Sequence, residues 1–170
     1  FNHKYGAGIV DAHAAVAMAQ TWSNLGPQTS AAISQSGLNV AIPDDGATGI
    51  TRSFNFNTSP TTRVEHAAVT LSVTHPYRGD LEVILTSPAG TRSQLMAPRH
   101  DPGDNYAAWT FTSVRHWGEN AAGTWTGKIA DRASGDTGNL TSLPVRLYGA
   151  TNPAPHLATS APALLAEANA

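Results

Sequence analysis

From Leu38 to Gly149 the chain places apolar residues on alternate positions through one short run after another, and Gly, Pro, Asn or Asp interrupts the runs at short intervals. Period two belongs to a strand with one buried face; an amphipathic helix needs 3.6, so this stretch cannot build a helical domain. "VTLSVTH" sets Val69, Leu71 and Val73 against Thr70, Ser72 and Thr74, and "LEVILTS" puts Leu81, Val83 and Leu85 on one face. "ITRSFNF" aligns Ile50, Arg52, Phe54 and Phe56, and later runs centre on Trp109 and Phe111, Trp125 and Ile129, and Val145 and Leu147. About eight short strands with no helices between them predict an all-β fold, an antiparallel two-sheet sandwich of jelly-roll or Greek-key type. The Val69 run and the Leu81 run are expected to pair as a hairpin, and Pro88-Ala89-Gly90 to turn the chain into "TRSQLM".

Outside this stretch the signals change. "IVDAHAAVAMA", residues 9–19, carries Ile9, Ala12, Val16 and Ala19 at helical spacing, with Asp11 where a carboxylate favours a helix N-terminus, and predicts a short N-terminal helix. Residues 21–37, rich in Ser, Gly and Gln, read as a linker, and the Pro- and Ala-rich residues 151–170 as a tail in which "ALLAEA" is at most a weak helical turn. The expected organisation is therefore 1–20, a linker 21–37, a β-domain 38–150 and the tail 151–170.

At 170 residues the chain has room for one domain with a real core. Charged residues make up only 13% and the net charge is −2, so no basic footprint invites nucleic acid or an anionic membrane. The lack of cysteine rules out disulfides, thiolate catalysis and Cys-based zinc sites together. No apolar run approaches the roughly 18 to 20 residues a spanning helix needs. The first residues lack a signal-peptide layout, and Phe1 stands inside what reads as structured sequence, which suggests a piece of a longer chain.

Little here argues for catalysis. Gly90-Thr91-Arg92-Ser93 lies on a strand after a turn and lacks the strained elbow of a G-x-S-x-G nucleophile, and the seven histidines include no H-E-x-x-H or H-x-H pair. Carboxylates are more informative. Asp44, Asp45, Asp80, Asp101, Asp104, Asp131 and Asp136 all fall in predicted loops, and calcium takes 6 to 8 oxygen ligands of the kind such loops supply. Asp44, Asp45, Asp80 and Asp131 are the candidate calcium ligands. Aspartate is also a good turn former, bonding nearby backbone N–H groups, and both readings stand at this point. Trp109, Trp117 and Trp125 could form a platform for sugar or peptide, but the alternation favours core positions for Trp109 and Trp125. Glu119 is the expected anchor of the Gly118–Gly123 turn. Arg78-Gly79-Asp80 reads as a bend entering a strand rather than an adhesion signal, since a three-residue match is weak and no integrin binding is expected.

Taken in order, "THPYRGDLEVILTSPAGTRSQL", "HDPGDNYAAWTFTSVRHWGENAAGTWTGKIAD" and "GNLTSLPVRLYGA" resemble the P domain, or homo B domain, of kexin- and furin-like proprotein convertases, from about Leu38 to Ala150. "FNHKYGAGIVDAHAAVAMA" is similar to the closing segment of a subtilisin-type catalytic domain, whose nucleophile, histidine and aspartate lie upstream of it in that family. Two departures stand out. Leu143-Pro144 replaces an aromatic in the last strand pair and removes a ladder donor, which predicts an edge or bulge. The segment from Arg99 to Trp109 is short, as in bacterial secreted members. The resemblance implies a non-catalytic module of a secreted, calcium-dependent serine endopeptidase, with the protease domain of the same chain as its partner. Its expected role is to stabilise that domain, support its maturation and influence its calcium and pH dependence. The alternative is a module that binds protein substrate, matrix or glycan.

Overall fold

The computed structural model describes residues 4, 6, 8–22, 24, 26–58 and 61–151. The tail expected to hold a helical turn lies outside the described residues. One helix, α1 (Ala12–Ala19), is followed by ten strands: β1 (Thr29–Ile33), β2 (Val40–Ile42), β3 (Ile50–Phe56), β4 (Thr62–Thr74), β5 (Leu81–Thr86), β6 (Arg92–Met96), β7 (Tyr106–Ser113), β8 (Gly123–Asp131), β9 (Gly138–Ser142) and β10 (Val145–Thr151). Asp11 caps α1 as its position suggests: its carboxylate accepts the Ala14 N–H at 2.9 Å, satisfying a donor that the first helical turn leaves unpaired.

The strands form two antiparallel sheets, as the alternation predicts, and the sandwich is confirmed. One sheet runs β3-β8-β5-β6. In the other, β4 is the central element: β10 and β9 share one of its edges and β7 takes the other, with β1 and β2 outside β10 and β9. The count of ten exceeds the expected eight because β1 and β2 are short and built largely of Ala, Ser and Val. β1 lies inside the predicted linker, yet pairs with β10 from Thr29↔Gly149 to Ile33↔Val145. Leu143-Pro144 falls where β9 passes into β10, and the β4 ladder breaks register beside it, between Ser72 and Val73. This is the irregularity a proline without an N–H donor predicts.

One pairing differs from expectation. β4 and β5 are not a hairpin. Both edges of β4 are already occupied, so the chain after Thr74 must leave that sheet, and it enters the other one as β5 beside β8. The crossing is made by residues 75–80, ending in a 3₁₀ turn at Arg78–Asp80. The β5–β6 hairpin through Pro88-Ala89-Gly90 forms as predicted, with Leu85↔Ser93 and Thr86↔Arg92 in register.

The core lies between the sheets. Leu71, Val73, Leu140 and Val145 meet Phe54, Leu81, Leu85 and Ile129, all almost fully buried. Trp125 is the largest buried side chain. It faces Phe54 across the β3–β8 ladder, donates its indole N–H to the Ala121 carbonyl at 3.0 Å, and meets the buried His116 ring edge-on at 4.8 Å. A satisfied N–H lets an indole be buried without the cost of an orphaned donor. Trp109 corrects the expectation: it lies on the β7 flank and is 57% exposed. It follows that Trp125→Ala removes the centre of the core and should destabilise the chain by about 3–5 kcal/mol in chemical denaturation; a loss under about 1 kcal/mol would contradict this placement.

Candidate functional site

Among the described residues, the crossing segment His75–Asp80 and the loops facing it hold three of the four ion pairs given by close contact of His, Arg or Lys with Asp or Glu. His75 is fully buried at the end of β4. Its backbone is fixed by Asn105: the His75 N–H bonds the Asn105 Oδ1 at 2.9 Å and the Asn105 N–H bonds the His75 carbonyl at 2.9 Å. Its ring Nε2 lies 3.1 Å from Oδ2 of Asp131, also fully buried at the end of β8. A carboxylate offers only acceptors, so it requires the proton on Nε2, and Nδ1 then accepts from the Tyr77 N–H at 3.2 Å. A second proton, on Nδ1, would meet the Tyr77 carbonyl at 2.8 Å. The other Asp131 oxygen accepts from the Ala133 N–H at 3.2 Å. A buried carboxylate is tolerable only when its lone pairs are taken up in this way. Gly138 makes room for the ring: a Cβ there would stand 2.7 Å from Cδ2 of His75 and 2.2 Å from the Thr74 carbonyl oxygen.

Arg78-Gly79-Asp80 is packed into the domain. Gly79 is buried, donates to the Asp101 carbonyl at 3.1 Å and accepts from the Arg99 N–H at 2.8 Å; a Cβ would stand 2.3 Å from the Arg99 carbonyl oxygen. Arg78 donates through Nε to Asp101 Oδ2 at 3.0 Å, with its guanidinium 5.4 Å from the Tyr106 ring centroid. Arg99 reaches the same Asp101 oxygen at 2.7 Å and the Tyr106 hydroxyl at 2.6 Å. The Arg78 hydrogen bond, followed by the Gly103 N–H and Arg99, holds the Asp101 carboxyl below the ordinary aspartate range. Asp80, half-buried beside Asp131, moves the other way. Desolvation is the main cause of its raised pKa, with the like charges of Asp131 and Asp136 adding and His75 opposing.

The four candidate calcium ligands are not brought into one set. Asp44 is exposed and receives the Gly135 N–H on both oxygens, at 3.1 and 3.3 Å, while Asp45 occupies the left-handed region at φ 45° in an exposed turn. Asp80 and Asp131 do lie together, but Asp131 is engaged by His75 and Ala133. Among the described residues no three His, Asp or Glu side chains gather closely enough to hold a metal ion.

Sequence reasoning missed the joint role of Arg99, Asp101 and Tyr106. Their spacing carries no motif; only the double crossing of this corner by the chain brings them to Arg78. Glu119 does not anchor its turn through its side chain, whose Oε2 is buried without a partner among the described residues. The backbone does so instead: the Gly118 N–H bonds the Val64 carbonyl at 2.8 Å and the Val64 N–H bonds the Glu119 carbonyl at 2.9 Å. Of the remaining aromatics, Trp117 is 47% exposed on that turn, near Val114 at 53%.

Comparison with known proteins adds a second line. Residues 64–147 match the family model of the proprotein convertase P-domain. The chain is 36% identical over 141 residues to the PC3-like endoprotease variant B of Hydra vulgaris, covering 80% of this chain and 20% of that protein. It is also 36% identical over 159 residues to Furin-1 of Xenopus laevis, covering 87% of this chain and 19% of that protein. The chain thus spans about a fifth of the length of these relatives. The serine protease of Aeromonas sobria shares the fold, with a TM-score of 0.66 and 23% identity over 81% of this chain and 30% of that one.

The raised pKa of Asp80 has a defined consequence for stability. A carboxyl that binds its proton more tightly when folded favours folding below its unfolded pKa and loses that advantage as pH rises through its folded value. Asp80→Asn is therefore expected to be more stable than the parent at pH 7, with the difference disappearing by about pH 4, near the ordinary aspartate pKa. Thermal melts across pH check this; a variant less stable than the parent at pH 7 would contradict it.

Proposed function

The chain belongs, through residues 64–147, to the proprotein convertase P-domain family, and from that premise we propose that it is the non-catalytic sandwich domain of a secreted, kexin-like serine endopeptidase. In this reading residues 1–20 are the end of the protease domain, 21–28 the connection, 29–151 the P domain, since β1 lies in the sandwich rather than in the linker expected over 21–37, and 152–170 a tail. Its role is to pack on the protease domain and stabilise it, supporting its maturation and tuning its dependence on pH and calcium. The observation that carries the proposal is the family match within the sandwich, which is preceded by a helix that buries none of its residues. α1 has no buried residue, and Ile9, Val10 and Val16 are 100%, 86% and 65% exposed. Apolar side chains on a capped helix need another surface to bury them.

Tethering makes such packing effective. A linked surface is presented at high effective concentration, of millimolar order for a short flexible connection, so a modest apolar interface is enough to hold it. Calcium dependence is assigned to the linked protease as a whole, with Asp80 and Asp131 the two of the four candidate carboxylates that lie together. The described residues include no helix long and apolar enough to cross a membrane, and the secretory route is inferred from the relatives. A binding module remains the second reading, supported by the exposed aromatic residues; retention of the isolated chain on insoluble protein or polysaccharide would favour it.

The test is the full-length protease with and without residues 29–151, its melting temperature and its yield of mature enzyme measured in calcium and in chelator. Deletion is expected to lower both, and to widen the gap between the calcium and chelator curves. Unchanged melting temperature and yield would remove the proposal.

A further inference from the structure

The turn bearing Trp117 stands at the end of the sandwich where the connection from α1 enters. β1 begins at Thr29, which pairs with Gly149; Gly149 pairs with Val64, and Val64 bonds Gly118 and Glu119. Four backbone segments therefore lie in one row, and three inter-strand spacings put Trp117 roughly 14 Å from the start of β1. The connection already runs along this end, with Gln28 donating to Glu65. Between the end of α1 and the start of β1 lie residues 20–28, which can span at most about 30 Å. Whatever body carries α1 is thus confined within reach of this row.

The row also offers a formed contact. Trp117 and Val114 are both about half exposed, and the Trp117 N–H bonds the Val114 carbonyl at 3.1 Å. The turn is held from beneath by His116, which is fully buried, lies edge-on to Trp125 and places Nε2 3.2 Å from the Thr91 carbonyl oxygen. The indole is therefore exposed but its backbone is fixed, which lowers the ordering cost of burying it in an interface; tryptophan is the residue type most enriched at binding hot spots. The other exposed indole of the sandwich, Trp109, pairs with Leu71, seven positions along β4 from Val64 and roughly 23 Å away.

We infer that Trp117 and Val114 form the contact by which this domain packs on the protease body that carries α1, an inference that rests on the proposed function and names its surface. The experiment uses the full-length protease. Trp117→Ala and Val114→Asp should each raise the rate of proteolytic cleavage within residues 20–28 about tenfold, the change in open population expected for losing one hot-spot side chain. Trp109→Ala should leave that rate unchanged, and in the isolated 170-residue chain all three variants should keep the parent melting temperature. If neither Trp117→Ala nor Val114→Asp changes cleavage while deletion of 29–151 still destabilises the protease, this contact is wrong and the proposed function stands. If deletion has no effect either, both fall. The inference is also overturned if Trp117→Ala lowers the melting temperature of the isolated chain, or if it reduces only the retention of a protein substrate.

Discussion

The buried pair of His75 and Asp131 fixes the corner on which the rest of this sandwich depends. His75 ends a strand of one sheet and Asp131 ends a strand of the other, so a single hydrogen bond of 3.1 Å ties the two layers where the chain crosses between them. Neither side chain is exposed, and each would be costly there without the other. A buried ionisable group left unpaired typically destabilises a protein by several kcal/mol, whereas the intact pair is far nearer neutral. The pair therefore acts mainly as a constraint on geometry. It holds the crossing that the occupied edges of β4 impose, and so the direction in which the tripeptide of residues 78–80 can point.

That constraint explains why a tripeptide with the look of a recognition signal is built into the fold. Gly79 fits where no Cβ could, Arg78 is committed to Asp101 and to the face of Tyr106, and Asp80 is held half-buried beside the like charge of Asp131. The opposite end of the sandwich has the other character. There the backbone is equally fixed, through Val64, Gly118 and Glu119, but it holds Trp117 and Val114 outward. In the proposed reading one end closes the fold and the other offers a surface, the division of labour expected of a domain whose partner is tethered beside it.

Much of this was legible in the chain. Alternation is a local property, so strand faces such as Val69, Leu71 and Val73 could be read directly, as could the Asp11 cap and the irregularity at Pro144. Pairing is not local. β4 and β5 are adjacent in sequence and look like a hairpin, but pairing depends on which edges of β4 are already taken, and those partners come from residues 106–113 and 138–151. β1 was hidden for a related reason: Thr-Ser-Ala-Ala-Ile has a weak pattern and becomes a strand because β10 offers it an edge. The same logic misplaced Trp109, whose strand β7 meets β6 at its two ends, through Tyr106 with Met96 and Ser113 with Ser93, while Trp109 between them stays 57% exposed. Among the carboxylates, loop position marked Asp44, Asp45, Asp80 and Asp131 as candidates, but not that Asp44 is engaged by Gly135 and Asp131 by His75, since those bonds join segments distant in sequence.

The central claim is that the corner is a mutually dependent pair rather than two independent polar residues. A double-mutant cycle with His75→Gln and Asp131→Asn, measured by denaturant unfolding at pH 7, addresses it most directly. Each single change should cost about 3 kcal/mol or more, since it disturbs the partner left behind. The double variant should cost little more than either, giving a coupling energy of at least about 1 kcal/mol. Additive losses would contradict the account.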